Sequence, residues 1–267
     1  MALSGPGRGR RSRVPGFVML AMAAAAFSGC SSGSNVRTLP DAPPIENSSG
    51  NPATVYLQLA TAYLRQGQTD VALRKALRAE QLDPDNTETQ VILGIIYDRQ
   101  GRAVEAERHL RRAETQAGDD PYVTNAHGTF LCGQQRYPEA EEKFDRAARS
   151  PQNQTPWIAY TNMANCQRDQ GSQAAAESSF RRALQLNPRF SPSLLGLAKL
   201  HFAGGRPGKA QDYINRYFDV AAPDPESLWL AYRIERALGN TKRADSYGML
   251  LRSRFPDAPQ TYRLMGL

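Results

Sequence analysis

Residues 53–86 read ATVYLQLATAYLRQGQTDVALRKALRAEQLDPDN, and this stretch decides the fold. Tyr56, Leu59, Ala60 and Tyr63 fall at i, i+3, i+4 and i+7, the spacing of one face of an α-helix. Ala72, Ala76 and Ala79 repeat that spacing in a second segment. Between the two, Gly67 can take the positive φ that ends a helix, and Pro84 stops the second segment. The stretch predicts a pair of helices folded into a hairpin. Small residues at Ala60, Ala72 and Ala79 let the backbones approach, while Tyr56, Leu59 and Tyr63 fill the space around them.

The same skeleton returns down the chain. A small residue in the first turns of each second helix marks it: Ala72, Ala106, Ala140, Ala176, Ala210 and Ala244, at intervals of 34, 34, 36, 34 and 34 residues. Five residues ahead stand Gly67, Gly101, Gly171, Gly205 and Gly239, with Gln135 replacing glycine in the third unit. A lone hairpin cannot bury both apolar faces, whereas stacked neighbours can, and a period near 34 is that of the tetratricopeptide repeat. The expected fold is all-α, a right-handed solenoid of about six such repeats over residues 53–258. Their spans are 53–86, 87–120, 121–154, 157–190, 191–224 and 225–258, with Thr155-Pro156 inserted before the fourth. Repeat six departs from the pattern, placing Tyr232 where a small residue is expected and Gly248 where a large one is. Residues 259–267 are read as a C-terminal cap or tail.

The segment ahead of the repeats has a different composition. Arg8, Arg10, Arg11 and Arg13 precede Phe17–Phe27 (FVMLAMAAAAF), an apolar run of 11 residues. A spanning helix needs about 20, so residues 1–29 read as a signal peptide. Phe27-Ser28-Gly29-Cys30 resembles a bacterial lipobox, which makes Cys30 the expected lipidation site. In Gram-negative lipoproteins, the absence of aspartate after that cysteine, here Ser31, favours the outer membrane. Residues 30–52 are rich in Ser, Pro, Gly and Asn and lack the apolar content to fold; they are expected to be a tether reaching on the order of 25 Å.

The chain carries 33 basic and 26 acidic side chains. Setting aside the four arginines of the leader leaves 29 against 26, interspersed along helix surfaces. This is the pattern of solvated faces and not of a nucleic-acid interface. His109, His127 and His201 belong to no metal or triad pattern and read as packed residues. No Walker or dinucleotide fingerprint precedes a strand-to-helix turn. No catalysis, metal, cofactor or small-molecule substrate is expected, apart from covalent lipid on Cys30. Cys132 and Cys166 lie near the ends of first helices in adjacent repeats. In an oxidising compartment they form a bridge, or they pack as two small thiols.

By resemblance to other tetratricopeptide repeats, first helices line a groove, and function is expected there. Repeat one offers Leu57, Thr61 and Leu64; repeat two offers Glu88, Val91 and Ile95. Leu57, Leu64, Val91 and Ile95 would form an apolar strip for a partner, or pack between repeats as core. Further along the groove turns polar, with Asn125, Thr129, Thr161, Asn165 and Arg168. Asn side chains offer a donor and an acceptor suited to an extended backbone. The last repeat adds Trp229, Arg233 and Arg236, residue types enriched at binding hot spots.

Stretches more specific than the repeat consensus are TNAHGTFLCGQQRYPEAEEKFDRA (124–147), PESLWLAYRIERALGN (225–240) and SYGMLLRSRFPDAP (246–259). With the lipobox and the short tether, they resemble the type IV pilus biogenesis lipoproteins of the PilF or PilW family, the pilotins of the pilus secretin. The resemblance covers the mature chain, departing at His127 and at Phe27 of the lipobox. It implies a non-enzymatic protein at the periplasmic face of the outer membrane that binds secretin subunits and promotes their assembly. A scaffold of the same class serving β-barrel assembly or recruiting peptidoglycan hydrolases is the alternative.

Overall fold

The computed structural model describes residues 51–266. The expected signal peptide, Cys30 and the expected tether up to residue 50 lie outside the described residues. Six helical hairpins follow one another: α1 (Pro52–Arg65) with α2 (Thr69–Leu82), α3 (Thr87–Arg99) with α4 (Ala103–Ala117), and α5 (Pro121–Gly133) with α6 (Tyr137–Arg149). Then come α7 (Pro156–Asp169) with α8 (Gln173–Leu186), α9 (Ser191–Ala203) with α10 (Pro207–Phe218), and α11 (Pro225–Ala237) with α12 (Thr241–Arg254). A short α13 (Pro259–Met265) closes the series, and no strand occurs among the described residues. The backbones of successive first helices come close to one another, as in α1 with α3 and α5 with α7, whereas those of successive second helices stay apart and meet only through long side chains such as Lys143 and Glu114. The stack therefore curves with its first helices on the inner side.

Each hairpin turn has the same hydrogen bonds. In repeat one, Gly67 N–H donates to Leu64 C=O at 3.1 Å and Gln68 N–H to Tyr63 C=O at 2.9 Å, which is a Schellman closure. Repeat three builds the same closure, from Gln135 N–H to Cys132 C=O and Arg136 N–H to Leu131 C=O. Gln135 accordingly sits at φ 60°, beside glycines at 69° to 92° in the equivalent turns. The hairpin imposes the left-handed geometry even on a residue with a Cβ, at a cost of about 1–2 kcal/mol.

Inside a hairpin, one small and one large residue interlock. A Cβ placed on Gly128 of α5 would lie 2.9 Å from the Phe144 ring of α6, so only glycine admits that ring. Repeat six reverses the partners, with Tyr232 on the first helix and Gly248 on the second. A Cβ on Gly248 would approach Leu264 of α13 at 3.3 Å and Tyr232 at 3.7 Å. The apparent erosion of repeat six is thus a swap that also seats α13. Thr261 fastens that helix by donating its hydroxyl to Phe255 C=O at 2.6 Å.

Polar groups knit most joints between repeats. At the first joint, Gln90 donates to Glu80 at 3.0 Å and meets His109 Nδ1 at 2.7 Å. At the second, Glu114 receives Lys143 at 2.8 Å, His127 at 2.9 Å and Arg146 at 3.3 Å. Burial pulls the Glu114 carboxyl up, but His127 and Lys143 outweigh it and hold it at about 2. At the fourth, Arg206 reaches Glu177 at 3.1 Å beside the fully buried His201, whose pKa burial lowers. At the fifth, Lys199 pairs with Glu226 at 2.7 Å, and Gln211 donates to the buried Glu235 at 2.9 Å.

The third joint is different. Among the described residues no ion pair crosses it. Cys132 of α5 and Cys166 of α7 are joined in a disulfide with their Cα atoms 5.8 Å apart. Beside them Asn162 donates to Asn125 at 3.2 Å. The apolar core also divides here. One cluster runs from Leu57 to Met163 and Cys166, and another begins on the same helix at Ala164 and runs to Ile234. A small alanine cluster of Ala147, Ala148 and Ala159 lies between.

Candidate partner-binding groove

The inner face is built from the side chains of α1, α3, α5, α7, α9 and α11. Leu57, Leu64 and Val91 do not present an apolar strip there: their exposures are 4%, 1% and 0%. Period alone places them on first helices, but neighbouring hairpins cover them, so they belong to the core. Ile95 is half-buried and packs against that core. Thr61 is half-buried and spends its hydroxyl on Leu57 C=O at 3.0 Å.

The polar candidates also divide. Asn125 is buried, with its oxygen taken by Asn162. Asn165 is half-buried and lines a small recess with Cys166 and Asp169. Arg168 is paired with Asp169 at 3.1 Å. At the far end, Trp229 is half-buried and stacks on Tyr232, with ring centroids 5.4 Å apart. Arg233 is exposed and lays its guanidinium 4.7 Å from the Phe202 ring centroid, a cation–π contact that holds it in place.

The larger feature lies across repeats two to four. A depression of about 620 Å³ is lined by the starts of α3, α5 and α7, including Glu88, Tyr122, Asn125, Thr155 and Ile158. Burial raises the Glu88 carboxyl above its ordinary range. Burial, with Glu88 and Asp120 nearby, likewise raises the Tyr122 hydroxyl. Glu88 and Asn125 were legible as groove positions, whereas Tyr122 and the residues Gln152–Thr155 were not. Their one signal was the two-residue insertion ahead of α7, which lengthens the loop that walls the depression.

This arrangement offers hydrogen-bonding and charged groups on a curved helical surface, which is binding chemistry. Profiles of the tetratricopeptide repeat match residues 57–121 and 127–189, and a second such profile matches 167–231. The type IV pilus assembly protein PilF of Pseudomonas aeruginosa is 27% identical over 205 residues, covering 75% of this chain and 80% of that protein. The crystal structure of PilW, a widely conserved type IV pilus biogenesis factor, superposes with a TM-score of 0.67 at 29% identity. That match covers 80% of this chain and 98% of PilW. The solved structure of P. aeruginosa PilF superposes with a TM-score of 0.62 at 22% identity, over 80% of this chain and 97% of that one, which supports the fold. The chain belongs to the tetratricopeptide-repeat family and is homologous to the type IV pilus biogenesis proteins PilF and PilW.

Proposed function

We propose that the chain is a pilotin, an outer-membrane lipoprotein that binds subunits of the type IV pilus secretin and promotes their placement and multimerisation there. The observation that carries this reading is the match to PilW, which extends over 98% of that pilus biogenesis factor and not over a shared pair of repeats. The sequence around Cys30 supports the anchor. Each buried lipid CH2 contributes roughly 0.8 kcal/mol, so two or more acyl chains hold a protein at a bilayer effectively for good.

The mechanism needs no catalysis. The lipid confines the stack to the periplasmic face of the outer membrane, and the inner face of the first helices grips a segment of the secretin subunit. Subunits held on a surface meet at raised effective concentration, which favours ring assembly without any new contact. The test is co-purification of the full-length secretin with the detergent-solubilised chain. Retention of secretin is the expected result. Retention of an unfolded barrel precursor or a peptidoglycan hydrolase in its place would move the chain to the adaptor reading.

A further inference from the structure

The N-terminal ends of α3, α5 and α7 enclose the depression described above. Helix N-termini carry partial positive charge and usually suit anions. Here most of these donors are taken or missing. Asn86 accepts from Thr89 N–H at 2.8 Å and Asp120 from Tyr122 and Val123 N–H at 2.8 and 3.2 Å, while α5 and α7 open on Pro121 and Pro156, which have no N–H. Asp120 and Glu88 then add two full negative charges, against roughly half a charge per helix end. The balance favours a cation.

The lining groups point the same way. Glu88 has neither an ion pair nor a hydrogen bond among the described residues, although Arg65 lies near enough to act on Tyr122. Asn125 is only 3% exposed, and while its oxygen is occupied, its amide donors have no protein partner. Val123 and Ile158, both buried, supply apolar lining between these groups. A carboxylate, a free amide donor and an apolar wall suit a long cationic side chain with an aliphatic stem. The free amide donor also suits the peptide carbonyl next to it.

We propose that this depression seats a lysine or arginine carried on an extended segment of the partner polypeptide. The cation pairs with Glu88, the stem lies along Val123 and Ile158, and Asn125 donates to the adjoining backbone. The identity of the partner rests on the pilotin reading; the chemistry of the seat does not.

The test uses short overlapping peptides from the periplasmic part of the secretin, immobilised and probed with the full detergent-solubilised chain. Retained peptides are expected to carry Lys or Arg, and replacing that residue with Ala should weaken binding roughly tenfold. Glu88→Lys should lose the same peptides and recover those in which the cation is changed to Glu. Glu88→Gln, close in shape, should weaken binding with the thermal melt unchanged, which separates recognition from folding. Binding indifferent to Lys and Arg, equal binding by Glu88→Lys, or no peptide retained would each overturn the seat. Capture of the whole secretin by the wild-type chain, scored in parallel, reports on the pilotin reading alone. Lysine peptides held through Glu88 without secretin capture would leave the seat standing and remove the pilotin.

Discussion

The joint between repeats three and four stands against the other four joints. Those four are crossed by charged or amide groups, such as Lys143 and His127 on Glu114, or Lys199 on Glu226. At the third joint a covalent bond stands in place of the charged groups, beside the Asn162–Asn125 amide pair and a small cluster of alanines. In a repeat protein each unit contacts only its neighbours, so stability is close to a sum over units and joints. A joint without ion pairs depends on its other ties, here the close approach of α6 and α7 and the bridge between α5 and α7. The disulfide makes this joint answer to reductant while the second answers to acid.

That contrast can be broken most strongly at the bridge. Cys132 and Cys166 are separated by 34 residues, and opening a loop of that size removes about 3–4 kcal/mol. Cys132→Ser, or reduction, should therefore lower amide protection in α5 and α7 before it does so in α1 or α12, as read by hydrogen exchange. Uniform loss across the stack would mean that the third joint is no weaker than the rest. Acid should pick out the second joint instead. The Glu114 carboxyl is lowered from 4.5 to about 2, so its contribution is complete above the unfolded value and disappears as pH falls through the folded one. Glu114→Gln should lose up to about 3 kcal/mol at neutral pH. Its urea midpoint should converge with the wild type near pH 2, and a constant difference across pH would contradict the assignment.

Two smaller changes sharpen the picture. Gly248→Leu places a side chain against Tyr232 and Leu264 and should destabilise by about 1–3 kcal/mol. Adding Tyr232→Ala restores the small-on-first, large-on-second order of repeats two to five and should recover part of that loss in a double-mutant cycle. Gln135→Gly relieves the one left-handed non-glycine turn among the described residues. It should raise the melting temperature of the stack slightly, by the equivalent of about 0.5–1 kcal/mol.

The hairpins were readable from the chain because small residues and turn glycines recur at a fixed period, and that period has one physical meaning. The groove was less readable. A period tells which helix a residue occupies but not which neighbour covers it, and so Leu57, Leu64 and Val91 are core and not a partner surface. Leu64→Asp consequently tests packing in repeat one, and loss of helicity is its expected outcome. The swapped pair Tyr232 and Gly248 looked like decay because reciprocal volume is a property of two helices together. Residues 259–267 were legible as a C-terminal cap or tail but not as the helix α13, since seven residues carry little periodicity. The depression escaped for a related reason: its wall at Gln152–Thr155 comes from an insertion that interrupts the repeat.

One measurement tests the proposed role most directly: the amount of multimeric secretin in isolated outer membranes from cells lacking this chain, complemented with the wild type or with Cys30→Ala. Multimers are expected with the wild type alone, with secretin subunits left outside that membrane in the other two strains. Equal multimers in all three would contradict an anchored stack that carries secretin to the outer membrane.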